Sequence, residues 1–447
     1  MIQPPRRMPK GAYSVMLVAL MASLLAACAP VAAPTATPTK APAGATASAP
    51  ATSGPTAPAK ATAQSSTSAA TPGAAAGTKP SGTPIKIGYL TPLTGPSAPF
   101  GALETISINL GETDINTSGA INGYPLQIVR YDSPFDPQQA VTLVRKLAGD
   151  DKVLAILGPY SSGEMDVAAP LANQLQIPVI GMKTTKPGFS ENHRPWEFRF
   201  TSTDDITTPA IIAGFKKLHP DVKSVLIVGD TKESVTSSMV NDIWPKYLKD
   251  AGLAVQGTVG YDSGTTDFSA IVTKIKGMNP QAIAYSATPK GNPVGFAKEL
   301  ATQQVKVPVM SSVHFVPGPF VVQGGAAMEG WLAAAWFDRT STDPKAQDFL
   351  KRWQAQADVD PKVSKPALLT LEANTYDVML ILGDIMRKAN ITPETPLQEA
   401  RTKIRDGLAA VKDYKGVSGN ITMQPNGDAS IPATVLIARN GAWQVVK

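Results

Sequence analysis

Cysteine is almost absent from this chain of 447 residues: Cys28 is the only one, and the 419 residues after it contain none. Disulfide bonds are therefore excluded from the rest of the chain, whatever redox compartment it occupies. A long apolar run is also missing before Cys28. Residues 15–27 form a run of 13 residues, whereas a membrane-spanning helix needs roughly 20.

Residues 29–83 lack acidic and aromatic side chains and consist almost entirely of Ala, Pro, Thr, Ser and Gly. Such a segment cannot bury enough apolar surface to offset the entropy of ordering. It is predicted to be a disordered linker. Fully extended as polyproline II, its roughly 55 residues reach about 170 Å, and as a flexible coil about 40 Å.

One-sided charge is absent from the remainder of the chain. Six of the 41 basic residues and none of the 35 acidic residues precede Pro84, so residues 84–447 carry 35 of each sign. The net charge of +6 therefore belongs to the N-terminal segments. A neutral region of 364 residues argues against nucleic acid as a partner and suffices for two lobes or domains.

The residues around Cys28 are typical of an export signal. Arg6, Arg7 and Lys10 precede the apolar run, which ends in Leu25-Ala26-Ala27-Cys28. This pattern resembles the lipobox of exported lipoproteins, which implies a diacylglyceryl thioether on Cys28 and cleavage before it. We expect a signal peptide over 1–27, and an anchor with linker over 28–83. The mature protein is then extracytoplasmic and held on the cell membrane. The alternatives are an uncleaved membrane helix, disfavoured by length, an incidental buried thiol, and a twin-arginine signal.

Strands and helices alternate through residues 84–447, which favours an α/β fold with parallel, doubly wound sheets. Predicted strands cover 85–90, 126–131, 153–157 and 178–181, then 225–228, 254–261, 282–285 and 307–310. Two such units in tandem predict two lobes. Near the end, Asn426-Gly427 and Asn440-Gly441 predict hairpin turns.

Small polar residues are concentrated in the loops after these strands, notably at 91–96, 158–163 and 182–187. Ligands bind at the carboxyl ends of parallel strands, and hydroxyls beside helix N-termini suit a carboxylate. Ordinary turn and capping chemistry explains any one of these loops alone.

The order of these segments resembles type-I periplasmic solute-binding proteins of the branched-chain amino-acid transport class. The resemblance rests on residues 85–101, 122–140, 158–163, 372–377 and 419–428. It implies two Rossmann-like lobes joined by three crossovers, with the ligand bound in the cleft. Lobe 1 would comprise 84–203 and 337–432, and lobe 2 would comprise 204–336 and 433–447.

The resemblance also implies a ligand site. Ser162 and Thr185 stand where family members bind the ligand carboxylate, and Ser161 is also expected to bind the ligand. Lys183 matches a position that usually contributes its backbone, Phe100 matches the family's first-loop aromatic, and Tyr160 also faces the site. Ser234 and Thr288 stand where amino-acid binders of the family carry tyrosines. The family's acidic residue falls near Val313, beside His314, so the carboxylate-binding half is expected to be kept and the ammonium-binding half lost. Lys183 and His314 would favour an anionic ligand; the alternatives are a solvated rim lysine and a hydrogen-bonded loop histidine.

These expectations describe the ligand-binding component of an ABC importer, a monomer that delivers an amino acid or small organic acid to a permease. A separate ATPase is needed, because no G-x-x-x-x-G-K-[ST] motif occurs. The alternatives are a sensing subunit that signals through a membrane partner, and a binder of amides, urea or aromatic acids. An enzyme is not expected, since His193, His219 and His314 are scattered and no G-x-S-x-G elbow occurs. No cofactor and no metal are expected.

Overall fold

The computed structural model describes residues 80–446, with the exception of 318, 364 and 366. Cys28, the predicted signal peptide and the predicted linker up to residue 79 lie outside the described residues. Within the described part, no helix is both long and apolar enough to cross a membrane.

The first sheet has five strands in the order β2-β1-β3-β4-β5, and all neighbours run parallel. The strands are β1 (Ile85–Thr91), β2 (Leu126–Asp132), β3 (Ile156–Leu157), β4 (Val179–Gly181) and β5 (Glu197–Arg199). The central strands read as continuous apolar runs because helices cover both faces of the sheet.

The second sheet has seven strands in the order β15-β14-β10-β9-β8-β6-β7. They are β6 (Ser224–Asp230), β7 (Ala254–Tyr261), β8 (Ile283–Ser286), β9 (Val309–Ser311), β10 (Leu332–Ala335), β14 (Thr434–Arg439) and β15 (Ala442–Val445). The predicted turn at Asn440-Gly441 is confirmed, since it joins the antiparallel β14 and β15. Both of its residues have positive φ, 52° and 70°, as a two-residue hairpin turn of type I′ requires.

Three further strands form a small antiparallel sheet, β11 (Tyr414–Gly416), β12 (Gly419–Met423) and β13 (Ala429–Ser430). The predicted turn at Asn426-Gly427 joins β12 to β13. This turn is tied to the first sheet through Arg199, whose guanidinium donates to both carboxylate oxygens of Asp428 at 2.8 and 2.7 Å.

Helices fill the connections between strands. They are α1 (Ala98–Thr117), α2 (Pro137–Gly149), α3 (Ser162–Leu175), α4 (Phe189–Asn192), α5 (Asp204–Leu218), α6 (Ser234–Ser238), α7 (Trp244–Asp250), α8 (Ser269–Met278), α9 (Pro293–Thr302), α10 (Phe320–Gly324), α11 (Pro344–Val359), α12 (Ala373–Lys388) and α13 (Leu397–Ala409). Helix α5 packs on the second sheet, whereas α11 and α12 pack against α1 of the first. The chain therefore passes between the sheets three times, after β5, β10 and β13, which confirms the predicted fold class.

The sequence pattern misses β5, β10 and α11. In β5 the charged residues Glu197 and Arg199 flank Phe198, although all three side chains are buried. The sequence pattern does not show that β5 is a buried strand, because the residue that pairs with Arg199, Asp428, lies more than two hundred residues later in the chain. Strand β10 is mostly alanine, so it lacks the β-branched residues that identify a strand.

Candidate functional site

Residues that follow the carboxyl ends of both sheets line one cavity of about 40 Å³. Its wall consists of Phe135, Tyr160, Ser161, Ser162, Lys183, Thr185, Glu233, Val235, Thr288, Val313, His314, Pro317, Trp336 and Leu371. Seven of the nine predicted ligand-binding residues are in this wall; Phe100 and Ser234 are not. Among residues 80–446, no group of three or more His, Cys, Asp or Glu side chains could hold a metal ion.

The start of helix α3 forms one side of the cavity. Ser161 caps this helix: its Oγ accepts from the amide of Glu164 at 3.2 Å, and the Glu164 carboxylate accepts from the amide of Ser161. The Ser161 hydroxyl also donates to Glu164 at 2.9 Å. Ser161 therefore lies at the cavity with its hydroxyl already bound, while Ser162, the first helical residue, presents its side chain to the cavity.

Thr185 and His314 meet across the cavity. Thr185 follows β4 and His314 follows β9, and Thr185 Oγ1 lies 3.0 Å from His314 Nε2. The same Nε2 lies 3.3 Å from Oδ1 of Asp204, the first residue of α5. His314 Nε2 thus lies between the Thr185 hydroxyl and the buried carboxylate of Asp204.

Lys183 lies in the cavity wall but its ammonium is turned into the protein. Its Nζ donates to Thr375 Oγ1 at 2.6 Å and to Asn374 Oδ1 at 3.1 Å, and lies 3.5 Å from Glu104 Oε1. The side chains of Lys183 and Glu104 are both 1% exposed. Burial lowers the pKa of Lys183, and the Glu104 carboxylate opposes that change. Lys183 is therefore neither a solvated rim lysine nor a free cation for an anionic ligand.

Aromatic rings form another part of the wall. The Tyr160 ring stacks on Phe135 at 5.7 Å and on Phe100 at 5.9 Å between centroids. Phe100 is thus one layer behind the cavity, where it supports Tyr160. Burial raises the pKa of Tyr160 well above its usual value, so its hydroxyl is neutral.

Glu233, which sequence reasoning missed, places a carboxylate in the cavity wall. It comes one residue before Ser234, the position assigned to a tyrosine of the family. Its oxygens accept from the amides of Gly163 at 3.3 Å and Val235 at 2.7 Å, and burial raises its pKa. The usable signal was an acidic residue in the loop directly after β6.

Ser234 lies outside the wall and bridges the two sides of the cavity. Its hydroxyl donates to Asp166 in α3 and accepts from Lys186 Nζ at 2.9 Å. Lys186 also pairs with Asp166 at 2.9 Å. Ser234 therefore connects the start of α6 to Asp166 and Lys186, which belong to the segment of the chain that forms the first sheet.

Nearly all of the described residues are similar in sequence to known proteins. Residues 84–441 match the sequence profile of a family described as periplasmic binding protein. The chain is also similar to a leucine-, isoleucine-, valine-, threonine- and alanine-binding protein of Pseudomonas aeruginosa, with 26% identity over 354 residues. That alignment covers 77% of this chain and 87% of the Pseudomonas protein.

Solved structures show the same fold. A leucine binding protein from Thermotoga maritima superposes with a TM-score of 0.71 and 22% identity, covering 81% of this chain and 98% of that one. A solute binding protein of an ABC transporter from R. palustris, in complex with 4-hydroxybenzoate, gives a TM-score of 0.70 and 20% identity, covering 82% and 96%.

Proposed function

Because the chain belongs to the periplasmic binding protein family, we propose that it captures a small amino acid for an ABC importer. The family consists of solute-binding proteins rather than enzymes and is extracytoplasmic. The ligand binds in the cavity between the two sheets and is delivered to a permease that a separate ATPase drives.

One observation carries the choice of an amino acid: two hydroxyls and a carboxylate share one cavity wall. Ser162 at the start of α3 and Thr185 after β4 suit a carboxylate, which the positive end of the helix dipole also favours. Glu233 suits an ammonium, which needs an acceptor when it leaves water. An amino acid carries both a carboxylate and an ammonium. A simple organic acid has no ammonium, so it leaves the Glu233 carboxylate without a cation in the cavity.

The bonds across the cavity support a two-lobed protein that closes on its ligand. All strands of the first sheet fall in 84–203, and those of the second fall in 204–336 and 433–447. We assign residues 337–432 to the first lobe, because α11 and α12 pack against α1. Glu233 with Gly163, and Lys290 Nζ with the Phe135 carbonyl at 2.9 Å, join the two sides. Opening must break these bonds, as expected of hinge motion.

The test is a thermal-shift panel of amino acids, aromatic acids, amides and short organic acids, followed by calorimetry on the best ligand. Saturation at 100 times the dissociation constant adds about 2.7 kcal/mol to stability. Ser162→Ala and Thr185→Ala should each weaken binding by about 1–3 kcal/mol, the cost of an unmet bond to a charged group. Thr142→Ala on the exposed side of α2 is the control. Unchanged affinity in both site variants contradicts the site, and a response to neutral sugars or nucleosides alone contradicts the function.

An aromatic acid is the second candidate, favoured by the stacked rings of Phe135 and Tyr160 and by the 4-hydroxybenzoate of the R. palustris protein. Glu233 separates the two candidates. An anion without an ammonium is repelled by this carboxylate, so Glu233→Gln should strengthen binding of benzoate-like acids and weaken binding of amino acids. Calorimetry with one ligand of each class measures the difference.

We also propose that Cys28 anchors the protein to the membrane through lipid. The support is the Leu-Ala-Ala-Cys pattern after a basic and apolar segment. Two acyl chains hold a protein on a bilayer where a single chain does not. Cys28→Ser should move the protein from the membrane fraction to the soluble fraction of the producing cells. Mass spectrometry of the mature N-terminus should show the diacylglyceryl group only in the unaltered protein.

A further inference from the structure

Three neighbouring strands of the second sheet end at the cavity in the same way. Thr288 follows β8, His314 follows β9 and Trp336 follows β10, within three residues of each strand's last residue. Strands β8, β9 and β10 are consecutive in the sheet, and adjacent strands lie about 4.8 Å apart. These three wall residues therefore form a row along one edge of the cavity.

Each residue of this row has a buried polar atom without a hydrogen-bond partner in the described part of the chain: Thr288 Oγ1, His314 Nδ1 and Trp336 Nε1. Thr288 and Trp336 are 4% and 1% exposed, and the His314 side chain is 6% exposed. Buried polar groups in native proteins are nearly always paired, because an unpaired one costs about 1–3 kcal/mol. Three in a row at a ligand cavity indicate atoms that a ligand satisfies.

Four other polar side chains of the wall already have partners within the protein. Ser161 caps α3, Lys183 bonds to Thr375, Thr185 bonds to His314, and Glu233 accepts from backbone amides. The row follows strands of the second sheet, and each of its residues keeps one polar atom without a partner among the described residues.

The chemistry of the row specifies what a matching group must do. The indole Nε1–H of Trp336 only donates. The His314 Nδ1 atom accepts in the tautomer that carries its hydrogen on Nε2 and donates in the other tautomer. The Thr288 hydroxyl does either. A neutral group that donates and accepts, a hydroxyl or a carboxamide, can satisfy the row, whereas an aliphatic side chain satisfies none of it.

From this arrangement we infer that the site selects an amino acid whose side chain carries a hydroxyl or carboxamide, over an aliphatic isostere. The inference rests on the proposed function and names its substrate class. A site built to pair a ligand hydroxyl rejects the analogue without it strongly, because its own polar groups are then left unpaired.

The test compares isosteres by calorimetry on the unaltered mature protein. L-threonine differs from L-valine by a hydroxyl in place of a methyl, and L-asparagine differs from L-leucine by a carboxamide in place of an isopropyl end. We expect at least one polar ligand to bind tenfold or more tightly than its isostere. A tenfold ratio of dissociation constants corresponds to about 1.4 kcal/mol.

Variants of the row identify the source of this preference. Thr288→Val keeps the side-chain shape and should reduce the preference to within about threefold while the aliphatic isostere keeps its affinity. Trp336→Phe removes the indole N–H together with one ring and should likewise reduce the preference, which is a ratio of two affinities measured in the same variant. Thr208→Val is the matched control, because Thr208 Oγ1 is also buried and unpartnered among the described residues but lies outside the cavity wall. This control should leave the preference unchanged.

The outcomes are separable. Valine and leucine binding as tightly as threonine and asparagine would overturn the inference and leave the proposed amino-acid function standing. A preference that persists undiminished in both row variants would overturn it too. Failure of every amino acid in the panel to bind would instead defeat the proposed function itself.

Discussion

The backbone amide of Gly163 donates a hydrogen bond to Oε1 of Glu233 at 3.3 Å, joining the first turn of α3 to the loop after β6. The other oxygen of Glu233 accepts from the amides of Val235 and Thr236 at 2.7 and 3.4 Å. Three backbone donors thus hold this carboxylate in the cavity wall. The donors of α6, Val235 and Thr236, lie next to Glu233 in the chain and so orient its carboxylate without the Gly163 bond.

Glu233→Gln is expected to weaken amino-acid binding by about 10- to 100-fold, because a hydrogen bond to a charged group contributes roughly 1.5–3 kcal/mol. Size is kept, so the loss reports the charge together with the one acceptor oxygen that the carboxamide lacks. Isothermal titration calorimetry with the best amino acid from the panel measures it. Glu394→Gln, at an exposed position after α12, serves as the control. Equal affinity in both variants would contradict a contact between Glu233 and the ligand ammonium.

Ser234→Ala is expected to accelerate ligand dissociation by about fivefold, the equivalent of one hydrogen bond near 1 kcal/mol. The Ser234 hydroxyl bonds to Asp166 and Lys186 across the cavity and lies outside its wall, so its loss weakens the closed state only. Stopped-flow fluorescence should show a faster off-rate with a nearly unchanged on-rate. Ser237→Ala on the same helix is the control, and an off-rate equal to that control would refute the bridge.

Lys183→Met is expected to lower the free energy of unfolding by about 3–5 kcal/mol, because it leaves Glu104 buried without its counter-ion. Urea denaturation of the purified domain measures this loss. The control is Lys246→Met, which removes an ion pair whose two side chains are more than half exposed. It should lower the free energy of unfolding by less than about 1 kcal/mol. Adding Glu104→Gln to Lys183→Met should recover part of the stability, and a double variant no more stable than the single one would contradict the pairing.

Glu197→Gln should stabilise the protein at pH 8 and change little near pH 4.5. Burial raises the pKa of Glu197 from 4.5 to about 7. Between these values the folded state keeps a proton that the unfolded state has lost, so stability falls as pH rises through this window. The shift corresponds to about 3 kcal/mol at 1.36 kcal/mol per pKa unit.

Urea unfolding at several pH values checks the Glu197 prediction, with the exposed Glu191→Gln as the control. The difference between Glu197→Gln and the unaltered protein should grow from pH 5 to pH 8. A difference that stays constant with pH would show that Glu197 titrates normally in the folded state.

The site residues that directly follow a predicted strand in the chain could be predicted from the sequence. Tyr160, Ser162 and Thr185 follow apolar runs that identify buried strands, and parallel strands collect their carboxyl ends at one edge. Glu233 was missed because the match to the family's tyrosine position was placed on Ser234, the next residue, and such a match from one sequence is not accurate to one residue. The orientation of Lys183 was not predictable, since Glu104 and Thr375 are distant in sequence and only the packing of α1 and α12 brings them to its ammonium.

The sequence by itself determined the α/β class, the neutral balance of residues 84–447 and the loops that carry polar residues, because periodicity and composition are local properties. The tertiary structure alone decided which polar atoms are already paired. A hydrogen bond is made or left unmade by groups from separate strands, as with Thr185 and His314. The unpaired row of Thr288, His314 and Trp336 therefore became visible only when β8, β9 and β10 lay side by side.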